Sequence, residues 1–372
     1  MNCGFSRATR ATINLSNLKH NLSIARQSVA DANCMAIIKA NGYGHGMIPV
    51  AQALSEKVGG ADAFGVACLE EAINLREAGI AQRIVLLEGF MRVDDLNFIR
   101  GYNLECVIHN QHQLDILEAD HGKPIQCWLK VDTGMHRLGF SIEKAGQAYE
   151  YLLNGHSVIK PFHIMTHLAN ADDRDDPLTE KQCKQFDSFV KGLEFAEQTS
   201  IANSAGILGW NQLCPGSHGQ WLRPGIMLYG VSPFNDSLGK DHGLKPVMTL
   251  SSELIAVNYY KKGDAVGYGG TYQCDEDMPI GVVAIGYGDG YPRHIDSDTP
   301  VLINGKHVPI VGRVSMDMLT VDLRECSEAE IGDEVVLWGE GLPVEMIADK
   351  AGTIGYELLC GITKRVEFIY KN

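Results

Sequence analysis

One lysine, followed at once by a glycine-rich turn, is where this sequence first offers chemistry. The apolar run Cys34-Met35-Ala36-Ile37-Ile38 ends at Lys39, and Ala40-Asn41-Gly42-Tyr43-Gly44-His45-Gly46 follows directly. The run has the length of a buried strand, and the turn stops it. Lys39 therefore stands at a strand end, facing a loop. Burial there disfavours the ammonium form, and the neutral amine can attack a carbonyl to make a Schiff base. A lysine that merely extends to solvent from a strand end has the same spacing, and these residues alone do not separate the two.

Other polar residues recur at comparable places. Apolar, strand-like runs occupy residues 34–39, 63–67, 84–88, 104–109, 125–131, 162–167, 200–204 and 222–229, with helical patterns such as 69–77 and 179–198 between most of them. Lys39, His109, Lys130 with Asp132, His167, Ser204 and Arg223 each lie at or just beyond the end of a different run. Alternating strand and helix units over roughly 200 residues predict an α/β fold beginning with a (β/α)8 TIM-type barrel, whose strand ends converge on one face. No G-x-G-x-x-G follows the first of these runs, which disfavours an open doubly wound sheet. After Pro233 the pattern changes to a polar linker, 235–245, and then to short alternating segments at 249–258, 281–285, 301–311, 319–323, 334–338 and 364–368. The expected organisation is a barrel over 14–236 and a mainly-β domain over 237–372, joined by an N-terminal strand within 1–13. Within the opening stretch, residues 7–15 read as a strand and Ser16 as the cap of a helix over 17–30.

Composition sets outer limits. With 372 residues, 45% hydrophobic and 21% charged, the chain has the size and balance of a two-domain globular enzyme. A net charge of -14 without a basic cluster argues against nucleic acid or an anionic membrane as partner. The N-terminus lacks the apolar core of a signal peptide, and no run is long enough to span a bilayer. Ten cysteines occur without a C-x-x-C pair, several inside apolar runs (Cys34, Cys106, Cys127). That pattern predicts reduced thiols in a cytoplasmic protein and no metal site.

The lysine turn and five further blocks together resemble the bacterial alanine racemases, pyridoxal-phosphate enzymes of fold type III. The blocks are Trp128 to Gly139, Arg223-Pro224-Gly225-Ile226-Met227-Leu228-Tyr229-Gly230, Gly267 to Tyr272, Gly286 to Pro292, and Gly312-Arg313-Val314-Ser315-Met316-Asp317-Met318. They cover essentially the whole chain in the family's order. The resemblance implies a homodimeric isomerase that interconverts L- and D-alanine through an external aldimine, supplying D-alanine for peptidoglycan.

Residue by residue, the resemblance implies that Lys39 carries pyridoxal 5'-phosphate. Tyr43, Ser204, the backbone of Gly225 and Ile226, and Tyr356 would take its phosphate. Arg223, supported by His167, would face its ring nitrogen; a guanidinium only donates hydrogen bonds, so that nitrogen would stay unprotonated. Lys39 and Tyr268 would serve opposite faces of the substrate α-carbon, with Tyr268 reaching the partner's barrel. A free tyrosine has a pKa of about 10, so a base role calls for cationic neighbours, and His167 and Arg223 are candidates. Arg137, Met316 and Asp317 would lie by the substrate carboxylate, and Tyr287 would gate the entrance. Ser315 stands where relatives carry cysteine or another small residue.

Lys130 combines both kinds of argument. It shares strand parity with Trp128, which turns it inward toward Arg137, where burial and like charge favour a neutral amine. The resemblance implies that this amine is carboxylated. Three alternatives stay open: a broader-specificity amino-acid racemase, a fold-related basic amino-acid decarboxylase, and a non-catalytic pyridoxal-phosphate carrier. The Ser-Met-Asp-Met and Gly-Tyr-Gly-Gly blocks oppose the decarboxylase, and the C-terminal third opposes the carrier.

Overall fold

In the early apolar runs successive side chains face opposite ways, and this alternation builds the first layer. Met35 and Ile37 join Ala63, Val85, Val107, Trp128, Met165 and Trp221 in one buried cluster. Cys34, Ala36 and Ile38 belong to a second, larger one. A strand buried on both faces is what a parallel barrel requires. The computed structural model describes residues 7–29, 31–194, 198–210 and 220–372. After an initial strand β1 (Arg10–Asn14), the barrel is formed by β2 (Asn33–Ile37), β3 (Ala63–Val66), β4 (Arg83–Leu86), β5 (Glu105–Ile108), β6 (Cys127–Asp132), β8 (His163–Met165), β9 (Thr199–Ser200) and β10 (Trp221–Leu222). A two-residue strand, β7 (Phe140–Ser141), lies against β6. The order is β10-β2-β3-β4-β5-β6-β8-β9, and a parallel bridge between Thr199 and Gln220 closes the ring. The predicted eight-stranded barrel is therefore present.

Several boundaries differ from expectation for local reasons. Asn14, not Ser16, caps the first helix, Leu15–Ser28; its side chain accepts from the Asn17 amide at 3.0 Å. The expected strands 200–204 and 222–229 shrink to two residues each. Asn203 accepts from the Gly206 amide at 2.9 Å and starts a helix at Ser204. Beyond β10, Pro224-Gly225 leads into a 3-10 turn, Ile226–Tyr229, that ends at Gly230 in the left-handed region. The helix expected over 179–198 runs from Leu178 to Lys191.

The barrel floor is polar. Arg83 pairs with Glu105 and lies 4.7 Å over the Trp221 ring. Trp128 Nε1 donates to Glu105 at 2.8 Å, and Arg83 donates to His163 Nε2 at 2.8 Å. All of these residues sit at or next to strand starts, so they close the end opposite to Lys39.

The second layer is a sheet ordered β14-β17-β16-β15-β18-β11-β1-β19. Its members are β11 (Met248–Tyr260), β14 (Met278–Val283), β15 (Pro300–Ile303), β16 (Lys306–Val311), β17 (Leu319–Asp322), β18 (Glu334–Trp338) and β19 (Glu367–Lys371), together with β1. β1 runs antiparallel to β11 and parallel to β19. A small hairpin of β12 (Ala265–Val266) and β13 (Tyr272–Gln273) stands apart. Two short helices, Val344–Lys350 and Gly355–Cys360, were not predicted. Among the described residues no disulfide forms, no acid, histidine or cysteine cluster could hold a metal, and no helix is long and apolar enough to cross a membrane.

Candidate active site

Strand parity carries the inward-facing residues from the barrel core into the pocket at the opposite end. Ile37 precedes Lys39 by two residues, Trp128 precedes Lys130, Met165 precedes His167, and Trp221 precedes Arg223. In each case the first of the pair belongs to the inner cluster and the second lines one pocket. Arg137, Tyr43, Ser204, Gly225, Ile226 and Tyr356 line the same pocket. Two predicted strand-end residues do not. His109 is buried with Nε2 at 2.9 Å from the Glu88 carbonyl. Asp132 folds onto its own turn, accepting from the Gly134 amide at 3.0 Å and the His136 amide at 3.1 Å.

The turn after Lys39 is left-handed throughout. Ala40, Asn41, Gly42 and Tyr43 have φ of 52°, 56°, 64° and 50°, and Gly44 follows at 80°. Each non-glycine residue in that region costs about 1–2 kcal/mol, so other contacts must hold the turn. Gly44 donates to the Ala40 carbonyl at 3.0 Å, and Gly46 to the Asn41 carbonyl at 2.9 Å. The Asn41 side chain accepts from the Met47 amide at 3.0 Å. The Ala40 amide donates to Glu71 Oε1 at 2.7 Å. A Cβ at Gly44 would run into the Leu359 carbonyl. That close approach seats the helix Gly355–Cys360 against the turn and brings Tyr356 into the pocket.

These contacts shape a cradle for an anion. The Tyr43 ring stacks on Tyr229 at 4.8 Å between centroids and lies 5.9 Å from Tyr356. Burial pushes the pKa of both Tyr43 and Tyr356 up, so each keeps its proton and can donate it. Ser204 Oγ accepts from the Gly225 amide at 2.9 Å and the Met227 amide at 3.3 Å, leaving its own O–H free to donate. A Cβ at Gly225 would lie 2.8 Å from Tyr43 Oη, so only glycine keeps this space open. Neutral hydroxyl donors around a space without side chain, with an amine nearby, fit a phosphorylated aldehyde cofactor.

The opposite wall is cationic. Arg223, buried, donates to Ser200 Oγ, to the Thr166 carbonyl at 2.6 Å, to the Ile201 carbonyl at 3.2 Å and to His167 Nδ1 at 3.2 Å. Because guanidinium only donates, Nδ1 must accept and His167 is neutral. Burial and then Arg223 hold its pKa well below the ordinary range. This corrects one expectation: His167 is not available as a cation to lower the pKa of Tyr268. The Lys130 pKa is brought down to about 8 by burial, then by Arg223, Arg137 and Lys39, against Asp132. Among the described residues no carboxylate forms an ion pair with the Lys130 amine.

Tyr268, Tyr287, Met316 and Asp317 lie outside this pocket. Tyr268 sits in the turn between β12 and β13 and is 71% exposed. The Tyr287 amide donates to the Ser315 carbonyl at 3.0 Å and the Gly288 amide to Met316 at 2.9 Å, which holds Tyr287, Met316 and Asp317 together. Asp317 pairs with Arg365 at 2.5 Å and Arg7 at 3.7 Å, and Arg7 also reaches the fully buried Asp289 at 2.7 Å. Sequence reasoning missed Glu71, Arg365 and Asp289. For Glu71 a signal was available, since a carboxylate in the first turn of a helix that follows a strand commonly bonds backbone amides.

Comparison with known proteins agrees over both layers. The family model for the alanine racemase N-terminal domain matches residues 13–233, and that for the C-terminal domain matches residues 247–370. The alanine racemase of Coxiella burnetii (strain RSA 331 / Henzerling II) is 49% identical over 370 residues, covering 98% of this chain and 99% of that protein. The alanine racemase of Shewanella woodyi is 51% identical over 358 residues, covering 96% and 97%. The crystal structure of the biosynthetic alanine racemase from Pseudomonas aeruginosa superposes with a TM-score of 0.92 at 41% identity, covering 98% of this chain and 100% of that one.

Proposed function

The chain belongs to the alanine racemase family and is an isomerase of alanine, and from that premise we propose how its residues divide the work. The observation that carries the proposal is one pocket holding the Lys39 amine, the cationic wall of Arg137 and Arg223, and the cradle of neutral hydroxyls. The cofactor is pyridoxal 5'-phosphate, covalently held by Lys39, with its phosphate taken by Tyr43, Ser204, Tyr356 and the backbone of Gly225 and Ile226. When bound, pyridoxal phosphate supplies a conjugated ring that withdraws electrons and acidifies the substrate α-carbon.

Lys39 holds or returns a proton at one face of that carbon. The Tyr268 hydroxyl does so at the other face, from a second copy of the chain, since it lies outside its own subunit's pocket. Arg137 binds the substrate carboxylate by charge-assisted hydrogen bonds, with Met316 and Asp317 of the second copy completing that side and Tyr287 gating entry. Arg223, with His167 behind it, offers only donors, so a ring nitrogen that meets it gains no proton. Lys130, half neutral at pH about 8, adds carbon dioxide and loses a proton, and the resulting carbamate holds Arg137. The family resemblance supports a homodimer in the cytoplasm, supplying D-alanine for peptidoglycan, with the division at 236/237 separating the barrel from the β domain.

The direct test is optical rotation of L-alanine solutions incubated with the purified chain and pyridoxal phosphate, followed by borohydride reduction and peptide mapping. The expected results are decay of rotation to zero and a pyridoxyl group on Lys39. Racemisation with the label on another lysine would overturn the assignment.

A further inference from the structure

Glu71 holds a position that no step above uses. It lies in the first turn of the helix Leu69–Glu77, directly after β3. One carboxylate oxygen accepts from the Ala67 amide at 2.8 Å, at the end of its own strand. The other accepts from the Ala40 amide at 2.7 Å, at the end of the neighbouring strand. A glutamate in this part of a helix ordinarily reaches back to one nearby amide. Here the second oxygen goes to the residue bonded to Lys39.

The Ala40 amide needs that partner. The pairing between β2 and β3 ends with the Ile38 amide on the Gly65 carbonyl at 3.0 Å. Ala40 lies beyond it and already has the left-handed φ of 52° that ordinary residues avoid. Its amide can therefore be satisfied neither by the strand ladder nor by a right-handed helix, and Glu71 supplies the acceptor. A carboxylate accepting from two amides is a strong, short bridge. It ties two barrel strand ends together at the point where Lys39 leaves the first of them.

We propose that Glu71 is a positioning residue for Lys39: its carboxylate clamps the Ala40 and Ala67 amides and so fixes where the Lys39 amine enters the pocket. This rests on the reading of Lys39 as the cofactor-bearing amine. A glutamine in its place offers one acceptor oxygen and turns an NH2 toward an N–H donor, so one amide loses its partner; alanine removes both.

The experiment compares wild type, Glu71→Gln and Glu71→Ala as full-length protein. In the apo form, hydrogen exchange at the Ala40 amide should accelerate about tenfold or more in the variants, with the thermal midpoint near that of wild type. Attachment of added pyridoxal phosphate to Lys39, followed by absorbance and borohydride trapping, should slow by a similar factor. In the loaded enzyme kcat should fall by about 10- to 100-fold with little change in KM, as expected when a reacting group is misplaced by about an ångström. Glu71→Gln should lie between the other two, and it carries the comparison if Glu71→Ala does not fold. Unchanged attachment and kcat despite faster exchange at Ala40 would make Glu71 an ordinary cap and overturn the proposal. Activity lost only in proportion to a lowered thermal midpoint would overturn it as well. A wild type that takes no cofactor on Lys39 would instead refute the underlying reading, and exchange at Ala40 would still decide whether the clamp exists.

Discussion

At the scale of single residues, the pocket contains two lysines in different situations. Lys39 sits at a strand end beside the hydroxyl cradle, whereas Lys130 faces three cations from within the barrel mouth. The inward turn of Lys130 was legible from strand parity alone. Its missing carboxylate partner was not, because Asp132 is two residues away in sequence and its commitment to Gly134 and His136 depends on the turn. Lys130→Ala should lose activity and recover part of it when short carboxylic acids are added, since an acetate-sized anion can replace a carbamate beside Arg137; assays with and without added acid decide this, and failure of rescue counts against the carbamate. Tyr268→Ala should slow proton exchange from one enantiomer by about 10²–10⁴-fold and from the other far less. Isotope wash-in from deuterated water, measured from L- and from D-alanine, distinguishes the two, and equal small losses would leave Tyr268 structural. Its neighbours in a dimer cannot include a charged His167, so of the two expected candidates only Arg223 can assist it as a cation.

At the scale of elements, the early strands were readable because each is a short apolar run closed by a turn. The late barrel strands were not. Apolar residues continue past Ser200 and Leu222, but Asn203 and Pro224 turn the backbone away within two or three residues. The helices after Pro343 were missed for a related reason. Val344, Ile347 and Ala348 have helical spacing, yet the segment is too short for periodicity to stand out. Tyr356 on the second of these helices was therefore placed by family resemblance and not by pattern. The cradle it joins depends on the bare backbone at Gly225. Gly225→Ala should displace the Tyr43 hydroxyl and weaken pyridoxal phosphate binding by about 1–3 kcal/mol, the usual cost of overpacking. Titration of the apo-protein by absorbance measures this, and unchanged affinity would show that Tyr43 does not contribute to the cradle.

At the scale of the whole molecule, the barrel floor and the lysine turn make the same demand on pH. His163, held neutral at the floor by burial and by Arg83, has its pKa lowered to about 4, as does the fully buried His45 beside the lysine turn. An unfolded histidine titrates near 6.5. Between those values the unfolded chain binds protons that the folded chain refuses, so stability falls as pH drops from about 6.5 toward 4 and levels off below. Each such histidine costs about 2 kcal/mol between pH 7 and pH 5. The thermal midpoint of wild type should therefore fall more over that interval than the midpoint of His163→Phe, and equal falls would contradict the account of the floor. None of this was visible in the sequence, because Arg83, Glu105 and His163 meet only once the strands close into a ring. The largest claim at this scale is that a complete site needs two copies of the chain, one giving Lys39 and the other Tyr268. The measurement that tests it most directly mixes inactive Lys39→Ala chains with inactive Tyr268→Ala chains, allows subunits to exchange, and assays racemisation of alanine. Mixed dimers of a two-fold assembly carry one intact site and one doubly defective site, so recovery to about a quarter of wild-type specific activity is expected. Exchanged dimers, verified by mass, that recover no activity would contradict the shared site.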